Sequence, residues 1–153
     1  MNYQDFIMTL NAEQLAFIED LNKYLMDSGC KATFEEKKSG MIASYKFGKP
    51  PKALIYMFFR KNGMLVRIYG ENLSQYRDFL NMLPSQMIEE IDAAGACKRL
   101  VSSGCSPKCS GYDFMIGAKH FQKCRYNCFE FLLTKETASY IRAFAQKELS
   151  ARG

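Results

Sequence analysis

Two apolar runs, residues 54–59 and 64–69, flank the dipeptide Asn62-Gly63, and this pattern restricts the possible folds more than any other feature of the chain. Asn-Gly tolerates the positive φ that a tight hairpin turn demands, so the runs predict two antiparallel strands. With Asn62-Gly63 as the two-residue turn, Phe59 falls opposite Val66 and Met57 opposite Ile68, as core pairs. On the other side of the sheet Phe58 faces Arg67 and Tyr56 faces Tyr69. That amphipathic second set, Tyr56, Phe58, Arg67 and Tyr69, is a candidate solvent-facing contact surface.

Helical periodicity frames the hairpin. From residue 12 to 27, Leu15, Phe17, Ile18, Leu21, Tyr24 and Leu25 cover one broad face, with Asn11 and Gln14 spaced as a capping box and Gly29 suited to the left-handed position after the end. Residues 31–38 and 41–47 read as two short strands divided by Ser39-Gly40. Asn72 with Gln75 repeats the capping spacing before Leu73, Tyr76, Phe79, Leu80 and Leu83. Pro84 then interrupts, and a second helical run through Met87, Ile88 and Ile91 ends near Gly95. Thr134 is placed to cap a C-terminal helix whose buried stripe is Tyr140, Ile141, Phe144, Ala145 and Leu149. The expected fold is α+β: a single domain over 1–153 with an antiparallel sheet, a central hairpin, and N-terminal, middle and C-terminal helices packed against it. A chain of 153 residues with 48% hydrophobic content is long enough to bury a core without disulfide staples.

The segment Tyr45-Lys46-Phe47-Gly48-Lys49-Pro50 leads into this hairpin. With the order helix, strands, hairpin, helix, strands, helix, residues 12–95 resemble small bacterial proteins of the YdhG/YjbR-like kind. The resemblance implies an α+β fold with a curved antiparallel sheet and transfers no active-site residue. The two cysteine pairs depart from that pattern.

Residues 1–6 carry an acid and no base, and no long apolar stretch follows, so neither a secretory signal nor a membrane helix is predicted. A cytoplasmic location is the expectation. In a reducing compartment, six cysteines suggest thiols and metal ligands rather than a disulfide framework. Cys105/Cys109 and Cys124/Cys128 are two Cys-x3-Cys pairs, fourteen residues apart. Residues 112–116 and 121–123 between them are suited to a short antiparallel return that would bring the pairs together. Four thiolates at a tetrahedral site predict structural zinc, held in a cysteine-rich segment spanning 97–128. The alternatives are reduced cysteines packed in a small sheet, or iron–sulfur ligation. The radical-enzyme cluster pattern needs a third cysteine three residues after a pair, where Tyr112 and Phe131 stand. Four thiolates also leave no position for an activated water, so a metal here would fold the chain rather than do chemistry.

Cys97 adjoins Lys98 and Arg99, which favour a thiolate, so it is a candidate reactive thiol or extra ligand. Cys30 reads as packing, and His120, the only histidine, as a surface residue. Between residues 97 and 125, Lys98, Arg99, Lys108, Lys119, Lys123 and Arg125 stand against Asp113 alone, a surplus of five that equals the net charge of the whole chain. Such a segment either attracts phosphate or nucleic acid, with Tyr112, Phe121 and Tyr126 as stacking groups, or offsets the charge of a tetrathiolate zinc. Phosphate-binding loops and dinucleotide fingerprints are absent. The expected function is a noncatalytic, zinc-stabilised module that binds protein, nucleic acid or a small anionic ligand. The alternative is a thiol-based redox sensor or oxidoreductase that uses Cys97 or the cysteine pairs.

Overall fold

The computed structural model describes residues 1–101, 104 and 110–153. A short helix, α1 (Tyr3–Ile7), opens the chain where periodicity gives no signal. Asn2 and Asp5 cap it reciprocally: the Asp5 amide donates to Asn2 Oδ1 at 2.9 Å, and the Asn2 amide to Asp5 Oδ2 at 3.0 Å. The next helix, α2 (Ala12–Asp27), has the expected capping box between Asn11 and Gln14, and Gly29 at φ +91° releases the chain into the first strand.

Strands β1 (Lys31–Lys37), β2 (Gly40–Phe47), β3 (Lys52–Arg60) and β4 (Gly63–Ile68) pair antiparallel in sequence order. The central hairpin turns one residue earlier than the Asn-Gly rule predicts. Arg60 pairs with Gly63, so Lys61 and Asn62 make the turn, and Gly63 enters β4 at φ +133° while Asn62 keeps a negative φ. Each pairing therefore moves two residues along β4: Met57 opposes Val66, Phe59 opposes Met64, Phe58 opposes Leu65 and Tyr56 opposes Arg67. A shift of two preserves every predicted facing, because the pleat repeats every two residues.

The middle of the chain forms a 3-10 turn (Leu73–Tyr76), α3 (Arg77–Asn81) and α4 (Ser85–Ala93), divided at Pro84 as expected, followed by the short α5 (Lys98–Val101). Strands β5 (Tyr112–Ile116) and β6 (Lys119–Lys123) form the predicted return as a separate two-stranded sheet. The chain then crosses to the main sheet, where β7 (Glu130–Leu132), a strand too short to show periodicity, pairs with β4 and completes the order β1-β2-β3-β4-β7. The last helix is α6 (Ala138–Arg152).

The sheet has two unlike faces. One row, Phe34, Ala43, Met57, Val66 and Phe131, crosses all five strands and joins a continuous core with Ile18 and Leu21 of α2, Met87 and Ile91 of α4, and Ile141 and Phe144 of α6. The opposite face lies away from that core.

Two caps differ from expectation. Asn72 makes no cap bond; its side chain instead donates to Glu148 Oε2 at 2.9 Å. The Thr134 hydroxyl accepts from the Thr137 amide at 3.2 Å one turn before α6, and Thr137 Oγ1 donates to the Leu132 carbonyl at 2.7 Å. Glu148 has no exposed surface. It accepts from the Asn72 amide at 3.0 Å, from Arg152 Nε at 2.7 Å and from the Tyr76 hydroxyl, while Arg152 also donates to the Tyr69 carbonyl at 2.9 Å. A buried charge survives only when paired and hydrogen-bonded in this way, and the cluster ties α6 to the end of β4 and to the 3-10 turn.

Candidate functional site

The alternation of β3 and β4 sends Tyr56 and Arg67 outward as direct cross-strand partners, in a row that runs Thr33, Ser44, Tyr56, Arg67, Glu130 across the sheet. Beside it runs Glu35, Ile42, Phe58, Leu65, Leu132. At the centre, Arg67 Nη2 donates to Glu130 Oε1 at 3.0 Å and Nη1 to the Tyr69 hydroxyl at 3.3 Å. Its guanidinium carbon lies 5.1 Å from the ring centre of Tyr56, 5.3 Å from Phe58 and 6.0 Å from Tyr126. Burial opposes the Arg67 charge, and its bonds to Tyr69 and Glu130 outweigh it, so the group stays charged. The four residues expected on this surface are together, but Phe58 and Tyr69 are buried, Phe58 partly beneath the Arg60 guanidinium at 4.3 Å. The accessible aromatics are Tyr56 and Tyr126, the latter 49% exposed and set edge-on against Tyr69 at 6.3 Å. Tyr126 arrives from a segment remote in sequence, so the hairpin pattern alone could not assign it to this face.

The expected basic segment is largely engaged within the fold. Lys119 Nζ pairs with Asp92 Oδ1 at 3.0 Å, holding that carboxyl below its usual range. Lys123 Nζ donates to the carbonyls of Asp92 at 2.7 Å and Ala94 at 3.0 Å, closing the C-terminal end of α4, where a cation complements the helix dipole. Arg125 pairs with Glu71 and stacks near Tyr69 and Tyr112, at 5.4 and 5.8 Å. Lys98 and Arg99 lie on α5, and Lys108 falls outside the described residues.

Cys105 and Cys109, and with them the expected meeting with the second pair, also lie outside the described residues. Cys124 and Cys128 begin and end one helical turn, with the Cys128 amide donating to the Cys124 carbonyl at 3.0 Å. Cys97 is buried beside Gly111, and its amide donates to the Gln122 carbonyl at 3.0 Å. Among the described residues, no three ligating side chains converge on a point suited to a metal ion. Burial pushes the Cys128 thiol well above its usual range and that of Cys30 up to about 11, the reverse of what a reactive thiolate requires.

No protein-family model, curated protein or solved structure matches this chain. The site is accordingly read from its own residues. Among the described residues, no helix is long and apolar enough to cross a membrane. The buried Glu148 cluster was missed by sequence reasoning, although a signal exists: Ile141, Phe144, Ala145 and Glu148 follow the spacing of one helical face, and Arg152 is four residues on.

Proposed function

We propose that this chain is a noncatalytic binding module, stabilised by structural zinc, that takes a protein partner on the outer face of its main sheet. The observation that carries the reading is the Arg67 guanidinium, tethered by Glu130 and ringed by Tyr56, Phe58 and Tyr126. An antiparallel sheet with one face on the core ordinarily turns polar residues outward. Here the outward rows bring the part-exposed Leu65 and Leu132, with the buried Ile42 and Phe58, beside an arginine–tyrosine centre, and arginine and tyrosine are the residue types that dominate binding energy at protein interfaces. Nucleic acid fits less well, because Arg67, Arg125 and the exposed Lys119 each carry a carboxylate partner and Lys123 is bound to backbone carbonyls at the end of α4.

The zinc reading rests on the two Cys-x3-Cys pairs and is supported by the anchoring around them. Ser110 Oγ, one residue after Cys109, accepts from Arg125 Nη1 at 3.1 Å, one residue after Cys124. Cys105, Cys109, Cys124 and Cys128 would hold the ion, which supplies folding energy to the 97–128 segment.

Affinity enrichment with the wild type, a Tyr56→Ser/Tyr126→Ser variant and a Lys119→Glu/Lys123→Glu/Arg125→Glu variant tests the function. A partner kept by the charge-reversed protein, lost by the tyrosine variant and insensitive to moderate salt is the expected result. Loss only on charge reversal, with steep salt dependence, would transfer the function to the basic segment, and no change in any association with the tyrosine variant would defeat the proposal.

A further inference from the structure

On another part of the surface, the β5–β6 hairpin leans against the 3-10 turn and α3, leaving a cleft of about 410 Å³ between them. Its two ends are tied. The Gly117 amide at the hairpin tip donates to Asn81 Oδ1 at 2.8 Å, and the Gly70 amide at the other end donates to the Tyr112 hydroxyl at 3.0 Å. The hairpin is thus tied to the segments flanking the 3-10 turn and α3, and the volume of the cleft falls within the span of pockets that accept small molecules.

The lining is divided by chemistry. Leu73, Leu80 and Phe114 are buried and, with Met115, form an apolar floor. Arg77 and the Asp113–His120 pair stand at the exposed rim. Both Asp113 oxygens are committed, Oδ1 to His120 Nε2 and Oδ2 to Gln122 Nε2 at 3.2 Å. Arg77 makes no hydrogen bond or ion pair among the described residues, so it is the lining charge left to meet a ligand.

We infer that this cleft binds a small organic anion, with the apolar body against Phe114 and Met115 and the anionic group on Arg77. The guanidinium selects the anion: both oxygens of the rim carboxylate Asp113 already hold hydrogen bonds, whereas Arg77 has no acceptor among the described residues. The apolar floor selects against inorganic phosphate or sulfate, which would leave Phe114 and Met115 without contact. This site is independent of the Arg67 face.

The test uses the sulfonated dye 1-anilinonaphthalene-8-sulfonate and its uncharged counterpart N-phenyl-1-naphthylamine on the full, folded chain. The sulfonate should bind saturably at one site and shift the labelled Met115 methyl resonance, with Tyr126→Ser leaving its affinity unchanged. Arg77→Gln, at an exposed position without hydrogen bonds to the described residues, should weaken the sulfonate at least about tenfold, the loss expected for a hydrogen bond between charged groups, while sparing the neutral dye. Absence of saturable binding, a shift confined to other methionines, or equal sulfonate affinity in Arg77→Gln would each overturn the inference.

Discussion

Glu130 stands directly opposite Arg67 across β4 and β7, and its Oε1 accepts from Arg67 Nη2 at 3.0 Å with both side chains about one-fifth exposed. The pair joins the short last strand to the central hairpin. Arg67 Nε is already buried without an acceptor among the described residues, so removing Glu130 leaves the guanidinium still less satisfied. Glu130→Ala is expected to destabilise the fold by about 1–3 kcal/mol. Arg67→Met/Glu130→Leu should cost less than the sum of its single changes, as a double-mutant cycle in urea would measure.

Glu148 is the more demanding group. With no exposed surface and four donors around it, its replacement takes the acceptor from the buried Tyr76 hydroxyl, from both Asn72 donors and from Arg152 Nε, leaving Arg152 only its backbone carbonyl partners. Glu148→Ala should cost about 3–5 kcal/mol in equilibrium unfolding, more than any substitution at the exposed Lys119 or His120. A loss near that of a surface change would show that the cluster contributes little.

Gly111 is required by space. A Cβ there would lie 2.2 Å from Cys97 Sγ and 3.0 Å from the Lys123 carbonyl. Gly111→Ala should destabilise by about 1–3 kcal/mol, and adding Cys97→Gly should recover part of that loss. Thermal melts of the single and double variants provide the measurement.

Zinc and thiol counting address the cysteines together. One zinc per chain is expected by elemental analysis, with chelation unmasking four thiols and unfolding the 97–128 segment. Cys30, in the core and with its thiol pushed up to about 11, should resist alkylation at neutral pH until the whole chain unfolds. A metal-free protein with rapidly alkylated native cysteines would instead support the redox alternative.

Glu90 supplies a pH dependence. Its Oε2 is buried without a partner among the described residues, and burial raises its carboxyl above the usual range. The folded state therefore holds this proton more tightly than the unfolded state, and the stability lost to Glu90 grows as pH rises from the unfolded value of ~4.3 through the folded one. Glu90→Gln should stabilise the protein at pH ~7, and the gain should vanish below pH ~4, as paired urea titrations would show.

The helices and the central hairpin were legible because their signals are local. Asn11 and Gln14 cap α2 across three residues, Pro84 lacks the amide that a continuous helix needs, and Met57 and Val66 reach the core even though the turn moved by one residue. Two features stayed hidden. α1 is too short for periodicity, and β7 is recognised as a strand only once β4 offers an edge.

The candidate face divides along the same line. Tyr56, Phe58 and Arg67 could be placed together from the strand alternation, since a period of two sends them to one side of the sheet wherever the turn falls within the same parity. Their burial, the arrival of Tyr126, and the pairing of Arg67 with Glu130 and Arg125 with Glu71 required the folded chain. The same holds for Lys119 and Lys123, whose charges were visible in the sequence but whose partners on α4 were not. Periodicity, caps and turns act within a few residues, so the sequence by itself determined the elements and their facings. Electrostatic satisfaction joins groups far apart in the chain, 76 residues in Asn72 and Glu148 and 122 in Asp20 and Arg142, and only the tertiary structure could decide which charges remain for a partner.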